Sequence, residues 1–243
     1  MKCSFILGPQ KSKRLLLIHG FLGSSEDFFP LAERLSTDYC CLGIDLPRHG
    51  SKKNIPCKSL EEEALFIVEV CKFYNCKNVL GYSMGGRLAM LAHFFSPNFF
   101  QRIAILSSHY GLTTREKKRR KTQDDFWINL LKTSPCKFIE TWYAQKIFEG
   151  FNPSYLMDSR KSNRPEDMAE VLSKWTLSRQ TNLWSHIHCY KQTFLFLHGE
   201  MDEKYKKLYK NLPHKVFSIP NASHAVHFQN LSEVEKKVRA FFI

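Results

Sequence analysis

Short apolar runs recur along the chain, spaced widely enough for a helix in several of the gaps. They are CSFIL at 3–7, RLLLIH at 14–19, YCCLGID at 39–45, NVLGY at 78–82, RIAILSS at 102–108, TFLFLHG at 193–199 and HKVFSIP at 214–220. Runs this short, bounded by Gly, Pro, Asn or Asp, predict buried strands. Between the third and fourth lies SLEEEALFIVEVCKFY, a helical pattern opened by a capping box of Ser59 and Glu62, with Leu65, Val68 and Cys71 expected on its buried face. Strand, helix, strand implies a parallel sheet covered by helices.

The alternation breaks after Ser108, and no convincing strand returns before Thr193. A stretch of that length with charged and aromatic helical patterning predicts an insertion and not a loop. Residues 109–180 are therefore expected to form a helical cap on a core built from 1–108 and 181–243. Asn163, Arg164 and Pro165 mark a turn between two cap helices.

Bulk properties narrow the class. The 243 residues suit one core, and 43% hydrophobic content with twenty phenylalanines argues against disorder. The eight cysteines include no CxxC pair, so buried free thiols in a reducing compartment are expected, not zinc or a disulfide framework. No run is long enough for a membrane span, and a soluble cytoplasmic protein is expected. The formal charge of +13 favours anionic partners without naming one. Six of the seven residues from Arg115 to Lys121 are basic, which is open to three readings: a nucleic-acid or targeting patch, a solvated helix face, or part of an anion site.

GYSMGG at 81–86 supplies chemistry. Gly81, Ser83 and Gly85 form G-x-S-x-G between a strand and the helix-compatible GRLAMLAHFF, the setting of a nucleophile elbow. Asp202 in LHGEMDEKY and His224 in IPNASHAVHF follow the next two strands, completing the order Ser, Asp, His. His227 competes with His224 and makes an H-x-x-H pair, yet no Glu or third ligand accompanies it, so no metal is expected. His19 and Gly20 end another strand, which places the Phe21 N–H to join that of Met84 as an oxyanion hole. Arg87 lies one helical turn beyond Ser83 and is positioned to present a carboxylate-binding fork towards it. In the basic run, Arg120, Asp124 and Trp127 share one helical stripe. Asp124 can orient Arg120 there, with Trp127 packed beside it, while Lys117, Lys118, Arg119 and Lys121 are expected to face solvent.

These motifs, with HGFLGSSEDF, DLPRHGSK, RKTQDDFW, TWYAQKIF and SRKSN in the same order, resemble the α/β-hydrolase fold and, within it, the 2-succinyl-6-hydroxy-2,4-cyclohexadiene-1-carboxylate synthase family of menaquinone biosynthesis. The resemblance implies a mostly parallel central sheet flanked by helices with an inserted cap, and Ser83, Asp202 and His224 as a triad. It further implies that Arg87, Arg120 and Arg160 hold substrate carboxylates beside Tyr82 and Trp142. The implied reaction is pyruvate elimination from a tricarboxylate, with no cofactor. The expected partner is thus a small anionic substrate, with neither nucleic acid nor membrane, in a monomer or small homo-oligomer. Arg48 stands where the family usually has glycine, and Lys146 where it favours proline. The triad alone also fits a carboxylesterase or thioesterase, and the basic run leaves open a non-catalytic binding protein.

Overall fold

A computed structural model describes residues 2–242. All the predicted runs become strands: β1 Phe5–Leu7, β2 Lys13–Ile18, β3 Tyr39–Ile44, β4 Asn78–Tyr82, β5 Arg102–Leu106, β6 Phe194–Gly199 and β7 Lys215–Ile219. They form one sheet of seven in the order β1-β3-β2-β4-β5-β6-β7. Among the described residues only β1 pairs antiparallel.

The run LLLI in β2 shows why such strands carry no polar face. Leu16 and Ile18 enter the apolar cluster on one side of the sheet, Leu15 and Leu17 the cluster on the other. A sheet covered on both faces buries every residue of a strand, so alternation disappears from its sequence.

The helices are α1 Phe29–Leu35, α2 Leu60–Phe73, α3 Met84–Phe95, α4 Thr114–Thr133, α5 Pro135–Tyr143, α6 Met157–Lys161, α7 Pro165–Lys174, α8 Trp184–Cys189, α9 Glu203–Tyr209, α10 Val226–Gln229 and α11 Leu231–Phe242. Between β5 and β6 the described chain is helices, short 3-10 turns and connections, from α4 to α8. The turn at 163–165 falls between α6 and α7, with Pro165 opening the latter. The capping box on α2 is present, Glu62 N–H donating to Ser59 Oγ at 3.2 Å and Ser59 N–H to Glu62 Oε2 at 3.0 Å.

Two expectations are corrected. Leu65 is 47% exposed; the buried stripe of α2 runs through Leu60, Ala64, Ile67, Val68 and Cys71 instead. Apolar residues lie nearly all round this helix, so several stripes fit its sequence and packing selects one. Six cysteines are buried as expected, whereas Cys136 and Cys189, on α5 and α8, are exposed.

The strand order places the site. From β2 the chain crosses to β3 on one side and β4 lies on the other, so the loops leaving β2 and β4 adjoin at the sheet's carboxyl edge. Such a switch point leaves a crevice there.

Candidate active site

Ser83 follows β4 with φ 50° and ψ −107°, a left-handed conformation that a non-glycine residue adopts only when its surroundings hold it. The flanking glycines are required by close approach. A Cβ on Gly81 would lie 2.5 Å from the Gly85 carbonyl oxygen, and one on Gly85 would lie 2.2 Å from that of Ile18. Ser83 is also fastened by its backbone, its N–H donating to Leu106 O at 2.9 Å and its carbonyl accepting from Ser108 Oγ at 2.6 Å.

The loops after β6 and β7 bring the two predicted partners to it. His224 Nε2 is 3.1 Å from Ser83 Oγ, and His224 Nδ1 is 3.2 Å from Asp202 Oδ2. With Nδ1–H donating to the carboxylate, the Nε2 lone pair faces the hydroxyl, as general-base activation requires. Burial lowers the His224 pKa most; the bond and charge of Asp202 oppose it, and the Lys204 charge lowers it further. The imidazole is thereby kept neutral and able to accept a proton. His227, the competitor, is buried with neither ring nitrogen hydrogen-bonded and packs on Tyr82 and Phe28 at 4.5 and 4.8 Å. No cluster of three or more metal-binding side chains occurs among the described residues.

Phe21 and Met84 line the same cavity as Ser83. His19 is a fixture of the turn before Phe21. Its Nδ1–H donates to Gly20 O at 2.7 Å, and its Nε2 accepts from Leu46 N–H at 3.0 Å, which ties the end of β2 to the loop after β3. Burial lowers its pKa, consistent with the neutral ring that accepting at Nε2 demands.

The cavity encloses about 430 Å³, and Ser83, His224, Tyr82, Arg87, Arg120, Trp127, Trp142 and Arg160 all line it. Arg87 is buried, donating through Nε to Gln180 Oε1 at 2.5 Å and through Nη2 to Trp175 O at 2.8 Å. Neither acceptor is charged, and burial followed by the Arg120 charge lowers its pKa. Arg120 is oriented by Asp124, Nε to Oδ1 at 2.8 Å, and Thr176 Oγ1 donates to the other oxygen of that buried carboxylate. Trp127 packs on Phe138 and Trp142, and Trp142 on Phe21, with centroids 5.1–5.7 Å apart. Tyr82 lies 5.4 Å from the His224 ring, and Phe148 meets that ring edge-on at 5.3 Å. Of the remaining basic run, Arg115, Lys118, Arg119 and Lys121 are exposed and Lys117 is half-buried.

Arg160 departs from the picture of a freely presented guanidinium. Its Nη2 donates to both Asp27 oxygens at 2.9 and 2.8 Å, and its Nε to Tyr143 Oη at 3.1 Å. Asp27 has no local signal in the sequence, because its partner is 133 positions away. Lys204, Tyr205, Gln145 and His109 are further lining residues that the motifs did not single out. The two departures also find places. Arg48, at φ 68°, reaches across to α7, 2.5 Å from Glu170 and 3.1 Å from Asp167. Lys146 lines the cavity and opens a short turn whose next carbonyl, of Ile147, accepts from the His224 N–H at 2.9 Å.

The family model for the alpha/beta hydrolase family matches residues 15–236. The chain belongs to that family. Within the hydrolases, it is 29% identical over 223 residues to a 2-succinyl-6-hydroxy-2,4-cyclohexadiene-1-carboxylate synthase of Escherichia coli O1:K1 / APEC, covering 89% of this chain and 88% of the relative. The hydrolase fold also superposes on MenH from S. aureus with a TM-score of 0.87 at 23% identity, covering 100% of this chain and 96% of that one. A thermophilic esterase from Thermogutta terrifontis, solved with malate bound, matches with a TM-score of 0.79 at 18% identity over 98% of this chain and 91% of the esterase. No helix among the described residues is long and apolar enough to cross a membrane.

Proposed function

We propose that this hydrolase-fold protein is a carbon–oxygen lyase that eliminates pyruvate from 2-succinyl-5-enolpyruvyl-6-hydroxy-3-cyclohexene-1-carboxylate, a step of menaquinone biosynthesis. The observation that carries this reading is the convergence of Ser83, hydrogen-bonded to His224, with Arg87, Arg120 and Arg160 in a single cavity. A cavity lined by that many cations suits a polycarboxylate and disfavours an apolar acyl chain. Likeness to the synthase relative over most of both chains supports the same substrate.

Ser83 Oγ, its proton passed to His224 Nε2 and the resulting imidazolium balanced by Asp202, removes the ring proton beside the succinyl ketone. Negative charge developing on the ketone oxygen is received by the N–H groups of Phe21 and Met84. The electron pair from the broken C–H bond moves through the ring double bond and expels the enolpyruvyl oxygen. The released enolate takes up at its methylene carbon the proton held by the His224 imidazolium and becomes pyruvate, and Ser83, now carrying the ring proton, is again a hydroxyl facing a neutral imidazole. No step draws on a metal or redox cofactor. Residues 109–180 act as the cap that carries Arg120, Trp142 and Arg160 over the core. The protein works in the cytoplasm on this small anionic substrate, without nucleic acid or membrane, as a monomer or small homo-oligomer.

A pyruvate-release assay on the wild type, Ser83→Ala and Arg120→Ala, with p-nitrophenyl acetate as a competing substrate, tests the reading. Pyruvate release that is lost in both folded variants is expected. Rapid ester turnover without pyruvate release would instead make the protein an esterase.

A further inference from the structure

The cations of the cavity are not evenly neutralised. Arg160 meets Asp27 through both carboxylate oxygens, which makes a matched pair. Arg87, Arg120 and Lys204 line the same space. The Arg120 charge acts on Arg87 and on Lys204, second in each case to burial. Asp124 is the carboxylate hydrogen-bonded within this group, and it is spent on Arg120 and Thr176. Lys204 forms no salt bridge among the described residues, although Lys206, two positions on, pairs with Glu203 at 3.2 Å. It lines the cavity, with its ammonium 5.5 Å from the centroid of the Tyr205 ring. Tyr205 in turn packs 5.1 Å from the His224 ring.

Resting on the polycarboxylate reading above, we propose that Lys204 is a substrate-binding residue, holding a carboxylate together with Arg87 and Arg120. Arg87, Arg120 and Lys204 are three cations against two carboxylates, Asp124 and Asp202, the latter already bonded to His224, and a bound carboxylate relieves the repulsion left over. These three cations take two of the substrate's carboxylates. Arg160, already matched by Asp27, takes the third through the hydrogen-bonding capacity that its pair leaves over. Lys204 lies two residues after Asp202 on the first turn of α9, so the same loop that orients the His224 ring also fixes the position of the anion.

The experiment compares Lys204→Met and Lys204→Arg with Lys207→Met, an exposed lysine on the same helix that does not line the cavity. Pyruvate release is measured in each, together with quenching of tryptophan fluorescence by tricarballylate, a tricarboxylate that cannot react. Expected for Lys204→Met is a rise in KM of roughly 10–100-fold with kcat held within about threefold, and matching weaker tricarballylate binding. Lys204→Arg is expected to restore most of both, and Lys207→Met to change neither. Unchanged KM and tricarballylate affinity in Lys204→Met, a loss confined to kcat, or failure of the wild type to bind tricarballylate would each overturn the proposal. Lys204-dependent tricarballylate binding without any pyruvate release would sink the lyase reading and leave Lys204 as an anion ligand.

Discussion

Ser83, Asp202 and His224 stand on loops at the ends of β4, β6 and β7, whereas Arg120 and Arg160 stand on α4 and α6, outside the sheet. The first group is positioned by backbone. Ser83 is held at a left-handed φ by paired strands and by glycines in van der Waals contact with neighbouring chain. The second group is positioned by charge, Arg120 by Asp124 and Arg160 by Asp27. Backbone placement tolerates no displacement of the reacting atoms. Ion-pair placement permits a side chain to exchange one carboxylate for another, which is what binding an anion asks of it.

Breaking the backbone-held group is expected to have the largest effect. Ser83→Ala should lower kcat about 10³-fold or more while leaving circular dichroism and thermal unfolding unchanged. Loss of the fold in this variant would mean that the elbow depends on the hydroxyl and not on its glycines. Breaking a charge-held residue should appear first as instability. Asp27→Asn leaves the Arg160 guanidinium, 4% exposed, without its counter-charge, at a cost of about 3 kcal/mol. The melting temperature should then fall by roughly 6–12 °C, and an unchanged value would show that Tyr143, together with Ser159, whose Oγ accepts from Arg160 Nη1 at 3.4 Å, suffices to hold Arg160.

A milder test uses pH. The proposed base role requires a neutral His224, and burial holds its pKa below the ordinary histidine value. Its neutral form therefore persists as pH falls below about 6.5 and is lost only on passing through the lowered pKa. The acid limb of kcat/KM should lie below that point and fall about tenfold per pH unit; a limb above it would contradict a buried neutral imidazole. The smallest expected effect concerns Arg48. Its ion pairs to Glu170 and Asp167 are partly exposed, contributing about 1 kcal/mol at most. Its left-handed φ of 68° costs about 1–2 kcal/mol, which glycine would relieve. Arg48→Gly should thus shift the melting temperature by no more than a few degrees in either direction. A large drop would show that the clasp between core and α7 is a stronger fastening than its exposure implies.

The same contrast explains what the sequence disclosed. Strands buried on both faces read as unbroken apolar runs, and Ser83, Asp202 and His224 each follow one, so chain order alone brought them to one sheet edge. Arg120 was legible because Asp124 and Trp127 lie on its own helical stripe. Asp27, Gln180 and Lys204 were not, because their relation to the cavity depends on packing between segments far apart in the chain. The contact between Arg87 and Gln180 spans 93 residues. Leu65 failed for a different reason: α2 has apolar residues on nearly every side, and only the neighbouring elements choose which face is buried.

The missing side chain at Gly85 has a consequence for anyone redesigning this scaffold. A methyl group there would collide with the carbonyl oxygens of both Ile18 and His19, and one at Gly20 with the Tyr82 ring. The serine turn and the turn bearing Phe21 therefore interlock as a single casting, and neither can be retuned while the other stays put. New specificities are easier to seek in the helices above, where the fastenings are exchangeable charges, than in the platform beneath them.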